Sequence, residues 1–269
     1  MSNNPKSCKG DKDSVSNILI TGATGYVGSA LVPYLCAQGH DVLTSHALNA
    51  DYGPDPWHRS NDVIHLACNT LGDWQVNVLG TVQVASQVHC GHRLVFASSL
   101  TAAAPQDQYD CEKRAGEEAI RAYTDLDAVI LRLGRVYGPP IKSNKRSVLN
   151  TLITQAIMGE MLHLYGGVYS YRDYVFLDDV VRAFEMALTA PPGTYDVGCG
   201  RTVSLIEAAK KIAHTTGVQW CVDDNARDGP RVVADSTRWL PGWEPQVHLE
   251  SGIAKTIEWA WEHRERDSA

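Results

Sequence analysis

The sequence predicts an α/β fold: a Rossmann-like, doubly wound parallel sheet with a smaller C-terminal substrate-binding lobe. Two observations carry this prediction. Short apolar runs rich in β-branched residues alternate with segments of helical periodicity, which is typical of βαβ units. The first run, Asn17–Thr21, ends at a glycine-rich turn, Gly22–Gly28, that opens a helical segment. Parallel strands joined through helices in this way follow right-handed crossovers.

The elements of the first half follow in a regular order. After the turn, apolar residues recur at helical spacing as far as Gly39, and Pro33 among them predicts a kink or a tightened contact. The stretch from His46 to Asp62 is loop-like. Further strands are predicted at Asp41–Ser45, Val63–Ala67, Arg93–Ala97 and Ala128–Leu133, with helices at Val76–Val88 and about Tyr109–Tyr123.

The pattern changes after Gly138-Pro139-Pro140. The second half predicts helices at about Val148–Met158, Asp178–Leu188, Ser204–Thr216 and Leu249–His263, extended segments at Leu162–Tyr165 and Tyr195–Val197, and an aromatic loop with Tyr169, Tyr171 and Tyr174. We therefore expect a flexible tail at 1–16, a dinucleotide-binding domain at 17–138 and a substrate-binding lobe at 139–269. Segments of that lobe near 172–198 should pack back on the first domain.

Composition narrows the classes of function. A formal net charge of -7 over 269 residues argues against a nucleic-acid partner, which usually meets a basic stripe. The seven cysteines form no C-x-x-C pair and the ten histidines no H-E-x-x-H, so no metal site is expected. No apolar run approaches the ~20 residues that cross a bilayer. The polar residues 1–16 lack a signal-peptide core. We expect a cytoplasmic protein without a membrane partner.

The glycine turn, Thr21-Gly-Ala-Thr-Gly-Tyr-Val-Gly28, lies between a predicted strand and a predicted helix. In that context Gly22 permits the sharp turn, Gly25 lets the backbone approach a pyrophosphate, and Gly28 allows close helix–sheet packing. The helix N-terminus presents free N–H groups to the phosphates. The turn therefore predicts NAD or NADP; a plain strand–turn–helix with incidental glycines is the alternative.

A tyrosine and a lysine one helical turn apart form the second motif, Tyr109-Asp-Cys-Glu-Lys113. A phenol is a weak base at its ordinary pKa of ~10, and a neighbouring cation favours the phenolate. Tyr109 is therefore a candidate proton shuttle between an alcohol and a ketone. Ser99 follows a predicted strand at the sheet edge where ligands gather, and its hydroxyl can bond the reacting oxygen. A surface helix and two strand-end serines are the alternatives. His65 and the aromatic Trp259 and Trp261 are interpreted as packing residues.

These motifs occur together with others that resemble one family. They are Asp62-Val-Ile-His-Leu-Ala67, Asn77-Val-Leu-Gly-Thr81, Leu131-Arg-Leu-Gly-Arg-Val-Tyr-Gly-Pro139, Arg172-Asp-Tyr-Val175, Asp178-Asp-Val180, Tyr195-Asp-Val-Gly198, Ala234-Asp235 and Pro241-Gly-Trp243. From Asn17 to His263 the chain resembles an extended short-chain dehydrogenase/reductase of the NAD-dependent epimerase/dehydratase family. So many ordered matches are specific for the family and much less specific for the reaction.

The resemblance implies a role for each matching residue. Ser99, Tyr109 and Lys113 match the catalytic set, and Lys113 also binds the nicotinamide ribose. Arg172 matches an arginine that contacts the diphosphate of a nucleotide-sugar. Homodimers are usual in the family. The cofactor residues implied are Gly22, Thr24, Gly25, Tyr26, Val27, His46, Asp51, Leu66, Ala67 and Asn77, with Tyr109 and Lys113, and the substrate residues are Ser99, Arg135, Arg172 and Arg227.

Departures from the family pattern limit these implications. The second strand ends in Thr44-Ser45-His46 without the acid that usually binds the ribose of NAD, so NAD and NADP both stay open. The stretch from His46 to Asp62 and the ten positions from Ser99 to Tyr109 are both short. Arg135 stands where many members carry Asn. Leu100-Thr101 follows Ser99 where dehydratases and decarboxylases place an acid, which lowers the rank of both reactions.

The favoured hypothesis is an NAD(P)-dependent epimerase that acts on a nucleotide-sugar, with Tyr109 as the acid/base. An NADPH-dependent reductase of a nucleotide-linked keto-sugar or of another small carbonyl compound is the first alternative. A protein that binds NAD(P) without catalysis is the second. Net consumption of NADPH distinguishes the reductase from the epimerase.

Overall fold

The central feature of this computed structural model is a six-stranded parallel sheet. The structure describes residues 16–45, 57, 60–88, 91–139, 147–223 and 231–263. Strand order is β2-β1-β3-β4-β5-β9, and every pair is parallel. The strands are β1 Asn17–Thr21, β2 Asp41–Ser45, β3 Asp62–His65, β4 Arg93–Ser99, β5 Asp127–Leu133 and β9 Gly193–Val197. The strand order reverses beside β1, and the carboxyl ends of strands at such a point form a crevice for ligands.

The remaining strands form two small sheets. A three-stranded sheet has the order β10-β8-β6, and a two-stranded sheet pairs β11 with β7. Their bounds are β6 Arg135–Tyr137, β7 Leu162–Leu164, β8 Tyr171–Phe176, β10 Thr202–Ser204 and β11 Trp220–Val222. The helices are α1 Tyr26–Ala37, α2 Gly80–Gln87, α3 Gln108–Ala122, α4 Val148–Ile157, α5 Leu177–Ala187, α6 Leu205–Thr216 and α7 Leu249–Glu262, with a π-helical turn at Gln75–Leu79 before α2.

Alternation along β1 shows why helices cover both faces of the large sheet. Ile18 and Ile20 pack with the buried Leu31 of α1 on one face. Leu19 points to the other face and packs with Ile120 of α3. Successive side chains of a strand face opposite sides, so an apolar run such as this one is buried on both. The predicted Rossmann-like fold is confirmed.

A second core lies among α4, α6 and α7 and the small three-stranded sheet. It includes Tyr137 of β6 and Phe176 of β8, whose rings meet edge to face 5.4 Å apart. The chain then returns to the large sheet: β9 pairs with β5, and α5 packs in the same cluster as α1. Segments within 172–198 therefore rejoin the large sheet.

The structure corrects several predicted boundaries. The segment around Tyr171 and Tyr174 is a strand, β8, and not a loop, and it pairs with β6 and β10. The sequence pattern did not indicate a strand because the polar Arg172 and Asp173 interrupt its apolar residues. Asp173 is buried and accepts backbone N–H bonds from Cys199 (2.6 Å), Gly200 (2.8 Å) and Ala234 (3.1 Å). Helix α1 continues through Pro33. The predicted tail lies outside the described residues, apart from Ser16.

Candidate active site

The glycine turn after β1 is packed directly against the end of β3. Gly22 has φ +73°, and a Cβ there would lie 2.6 Å from the backbone N of Ala67. A Cβ on Gly28 would lie 2.5 Å from the carbonyl O of Gly22. Leu66 N donates to the carbonyl of Thr21 (3.1 Å) and Ala67 N to its hydroxyl (3.4 Å). Only glycine fits at Gly22 and Gly28, so the turn lies closely against the segment after β3.

Helix α1 begins with open backbone donors. Gly25 provides no side-chain cap, the first turn has no acidic residue, and the first helical bond runs from Ser29 N to Gly25 O (2.8 Å). The N–H groups of Tyr26, Val27 and Gly28 precede that bond and lie at the positive end of the helix. Together with the exposed Thr24 they form a cradle that fits a pyrophosphate.

Two of the predicted cofactor residues also have structural bonds. The Tyr26 hydroxyl donates to Gly138 O (2.5 Å), which ties α1 to the end of β6. Asn77 is buried, and its amide bonds the backbone of Asn69 and the Glu112 carboxylate, with Nδ2 2.6 Å from Oε2. Asn77 therefore holds the loop after β3 in place. The predicted residues His46, Asp51 and Arg227 lie outside the described residues.

His65 is confirmed as a core residue. Its ring is fully buried between Thr21 and Thr81, with Nδ1 2.6 Å from one hydroxyl and Nε2 3.1 Å from the other. Burial, followed by the positive charge of Lys113, lowers the pKa of His65 to about 3. The His65 ring is therefore neutral. It lies near β1 and β3, below the glycine turn.

Helix α3 presents Tyr109 and Lys113 to the end of β4. Lys113 Nζ is buried and donates to Ala97 O (2.8 Å), two residues before Ser99, where β4 ends. The same Nζ lies 5.8 Å from the centre of the Tyr109 ring. The predicted catalytic residues Ser99, Tyr109 and Lys113 therefore lie along one contact between α3 and β4.

The expectation that Lys113 favours a Tyr109 phenolate is wrong for the protein by itself. Burial, with a smaller effect of Cys68, raises the pKa of Tyr109 above its ordinary value, and the cation that opposes this shift is Arg135. The physical reason is that Lys113 directs its ammonium to the Ala97 carbonyl, whereas desolvation of the phenol is the largest effect.

Arg135 and Arg172 face each other across the small sheet. Arg135 of β6 pairs with Tyr174 of β8, and Arg172 precedes Tyr174 by two positions, so the three side chains share a face. Burial and the charge of Arg135 both lower the pKa of Arg172. Two guanidinium groups close enough to repel each other, one of them near Tyr109, suit an anionic ligand.

The sequence interpretation missed two carboxylates that the fold brings to this site. Asp110, next to Tyr109, accepts a hydrogen bond from Thr101 Oγ1, which lies 2.8 Å from Ser99 Oγ. Although no acid follows Ser99 in sequence, a carboxylate is thus connected to it. Glu117 lies one turn beyond Lys113 and is fully buried. Its acidic position on the buried face of a helix was the available signal for a buried ion pair.

Other kinds of site find no support in the described part of the chain. Within it, no group of three or more His, Cys, Asp or Glu side chains is placed to hold a metal ion. None of the helices described there is long and apolar enough to span a bilayer.

The glycine cradle on a doubly wound sheet, next to a tyrosine–lysine pair, defines a dinucleotide-dependent enzyme of the extended short-chain dehydrogenase/reductase class. The model of the NAD dependent epimerase/dehydratase family matches residues 18–65 and 63–198. The chain belongs to this family, as its motifs predicted, and the predicted NAD(P)-dependent enzyme class is confirmed.

Individual relatives differ in their reactions. UDP-glucose 4-epimerase of Mycolicibacterium smegmatis is 29% identical over 307 residues, covering 89% of this chain and 97% of the relative. UDP-glucuronic acid decarboxylase 1 of Xenopus tropicalis is 26% identical over 302 residues, covering 90% and 71%. Both alignments are longer than the 269 residues of this chain. This chain therefore has gaps relative to both relatives, in agreement with its shortened segments.

The fold also matches solved structures. RMD from Pseudomonas aeruginosa, complexed with NADPH, has a TM-score of 0.79 at 23% identity, covering 93% of this chain and 100% of that one. The family to which the chain belongs is described as NAD dependent, in agreement with the predicted cofactor class of NAD or NADP.

Proposed function

We propose that this protein is an NAD(P)-dependent epimerase that acts on a nucleotide-sugar by hydride transfer at a carbinol carbon. The observation that carries the proposal is the position of Tyr109, which adjoins Lys113 on α3 and lies within electrostatic reach of Arg135 on the small sheet. A proton-transferring phenol beside an anion-binding face suits a sugar linked to a diphosphate. The relatives named as UDP-sugar enzymes support the same substrate class.

Each part of the site contributes one function to this reaction. The N–H groups after Gly25 hold the pyrophosphate, and Lys113 holds the ribose of the cofactor. When bound, the nicotinamide supplies the hydride acceptor in one half-reaction and the donor in the other. Tyr109 is the acid/base that faces the sugar hydroxyl, Ser99 hydrogen-bonds the same oxygen, and Arg172 binds the diphosphate. Arg135 and Arg227 are proposed as further substrate contacts.

The second candidate is an NADPH-dependent reductase of a keto-sugar or another small carbonyl compound. The end of β2 favours the reductase, because neither Thr44 nor the buried Ser45 is an acidic residue. An NAD-specific site usually has a carboxylate at this point to bind the ribose hydroxyls. In the reductase, NADPH is consumed once per turnover.

A melting-temperature screen with UDP-, GDP-, CDP- and dTDP-sugars tests the substrate class. A nucleotide-sugar that binds the folded chain raises the melting temperature, and the stabilisation grows with the logarithm of its concentration relative to its dissociation constant. Tyr109→Phe should keep this shift and lose turnover by at least about 10²-fold. The proposal is wrong if none of the four raises the melting temperature, or if Tyr109→Phe retains full activity.

A homodimer and a cytoplasmic location remain proposals as well. The exposed apolar side chains Leu71 (77% exposed), Trp74 (53%) and Leu79 (53%) lie at or beside the π-helical turn before α2 and support a subunit contact there. Clustered apolar residues at a surface are typical of protein contacts. A sedimentation measurement on the wild type and on Trp74→Ser tests this contact.

A further inference from the structure

Three side chains form a hydrogen-bonded chain that leads away from the proposed reaction centre. We propose that Ser99, Thr101 and Asp110 are a proton relay, through which Asp110 gives the site a second proton acceptor beside Tyr109. This inference rests on the proposed function, because it concerns the proton of the same sugar hydroxyl. Asp110 acts through the other two residues and is therefore a positioning residue.

The geometry of the relay is continuous from the sheet to the helix. Ser99 Oγ at the end of β4 lies 2.8 Å from Thr101 Oγ1, and Thr101 Oγ1 bonds Asp110 Oδ1. The backbone N of Thr101 also donates to Ser99 Oγ (3.3 Å). Because Tyr109 and Asp110 are neighbours in α3, the carboxylate end of the relay is fixed to the residue that carries the phenol.

The chemistry of the carboxylate determines the direction of every bond in the relay. A carboxylate only accepts hydrogen bonds, so Thr101 donates its hydroxyl proton to Asp110. The Thr101 oxygen is then an acceptor, and Ser99 donates its own proton to it. The Ser99 oxygen, which has one lone pair occupied by Thr101 N–H, keeps the other for a hydroxyl donor. A sugar hydroxyl is such a donor, whereas a ketone is not.

The carboxylate of Asp110 is held away from water. The residue is 6% exposed, and its second oxygen, Oδ2, accepts the backbone N–H of Gln106 (3.2 Å). It lies in the first turn of α3, where the helix dipole stabilises a negative charge. Both oxygens therefore have one protein donor each, and a proton that reaches Oδ1 is shielded from bulk solvent.

The proton transfer balances in both directions. As the carbinol hydrogen leaves as hydride, the sugar O–H bond breaks and a new O–H bond forms on Ser99. Ser99 passes its original proton to Thr101, and Thr101 passes its own to Asp110 Oδ1. The hydride goes to the nicotinamide, the acceptor in this half-reaction, and the products on the sugar and the protein are the keto-sugar and a protonated Asp110. When the hydride returns, each proton moves back by one oxygen, so the relay stores the proton that an epimerase must restore.

Two proton acceptors at one site fit the environment of the phenol. Burial raises the pKa of Tyr109, so near neutral pH the phenol mostly keeps its proton and donates to the sugar oxygen. The relay supplies the acceptor under that condition. As pH rises, the small phenolate fraction of Tyr109 grows, and this fraction accepts the proton directly. The relay should therefore matter most at neutral pH and least at alkaline pH.

The pH profile of kcat tests the relay with four variants. Asp110→Asn and Thr101→Val interrupt it, whereas Thr101→Ser keeps the hydroxyl. Glu118→Gln is the matched control: it removes an exposed carboxylate from the same helix and leaves the bonds among Ser99, Thr101 and Asp110 in place. Turnover is measured on whichever of UDP-, GDP-, CDP- or dTDP-glucose the wild type converts, with saturating NAD, and the melting temperature of each variant is recorded.

The expected result is a loss in kcat of about 10²-fold at pH ~7 for Asp110→Asn and Thr101→Val, and the loss should shrink, without vanishing, as pH rises to ~10. Thr101→Ser and Glu118→Gln should follow the wild-type profile. The relay is wrong if the loss is equal at all pH values, if it is absent, or if it merely follows the fall in melting temperature. Failure of the proposed function is distinct: the wild type would convert none of the four sugars, or Tyr109→Phe would remain fully active.

Discussion

The carboxylate of Glu117 accepts two hydrogen bonds from the guanidinium of Arg132, with Nε 2.8 Å from Oε1 and Nη2 2.7 Å from Oε2. Ser98 Oγ adds a third bond (2.6 Å) from the strand that ends at Ser99. Burial raises the pKa of Glu117, but the bonds from Arg132 and Ser98 outweigh it and hold the pKa below its ordinary value. This contact therefore joins α3, β4 and β5 directly behind the proposed catalytic residues.

Replacement of Glu117 by Gln should destabilise the protein by about 3–5 kcal/mol, because it leaves the buried Arg132 without its counter-charge. Equilibrium urea unfolding measures the change. The neighbouring Glu118→Gln is a matched control, since Glu118 is 53% exposed in its pairs with Arg114 and Arg121 and such pairs contribute ~0–1 kcal/mol. Equal effects of the two variants would contradict this account.

His65 should make the folded state sensitive to acid. An unfolded histidine has a pKa of ~6.5, whereas burial lowers the pKa of His65 to about 3. Below pH ~6.5 the unfolded chain binds a proton at His65 that the folded chain excludes. The contribution of the neutral His65 ring to stability is therefore complete above that pH and is lost as pH falls towards 3. The slope is up to ~1.4 kcal/mol per pH unit.

The free energy of urea unfolding between pH ~7.5 and ~5 measures this slope. His65→Gln should lower the slope by the amount that one proton contributes, ~1.4 kcal/mol per pH unit, although the variant is less stable at every pH. His214→Gln, an exposed position on α6, serves as the control. If the wild type and His65→Gln show parallel pH dependences, the buried neutral ring is not the cause.

Gly22→Ala should weaken cofactor binding by at least about tenfold, or ~1.4 kcal/mol. Its new Cβ would lie 2.6 Å from the backbone N of Ala67, so the turn or the end of β3 must move. Gly39→Ala separates this from backbone strain, because Gly39 also has a positive φ (+92°) but open space around it. Calorimetric titration with NAD and with NADP should find normal affinity in Gly39→Ala; a comparable loss there would point to strain alone.

Arg135→Gln should move the titration of the Tyr109 phenol to higher pH, by up to about one pH unit. The reason is that the positive charge of Arg135 lowers the pKa of the buried Tyr109 phenol, and its removal leaves burial unopposed. Arg135→Lys keeps the charge and should keep the profile. Ultraviolet difference titration against the matching Tyr109→Phe protein isolates this phenolate from the other ten tyrosines, and an unshifted titration in Arg135→Gln would show that the two groups do not interact.

The sequence predicted the large sheet well because most of its strands are short runs with an apolar, β-branched centre. β1 and β2 begin and end where the periodicity placed them, and the glycine turn lies next to β1. Strand β8 was missed because Arg172 and Asp173 make it look like a loop, and only three backbone donors from distant segments explain why Asp173 is buried. The connection of Asp110 to Ser99 likewise depends on how α3 docks on β4, which spacing along the chain does not show.

The absorbance of NAD(P)H during turnover tests the central claim most directly. With a nucleotide-sugar as substrate and a trace of cofactor, an epimerase returns the hydride to the sugar in every cycle. We predict many turnovers of sugar per cofactor, identified by chromatography, with no net change in absorbance. Sugar conversion that stops when one equivalent of NADPH has been oxidised, or that never occurs, would contradict the account.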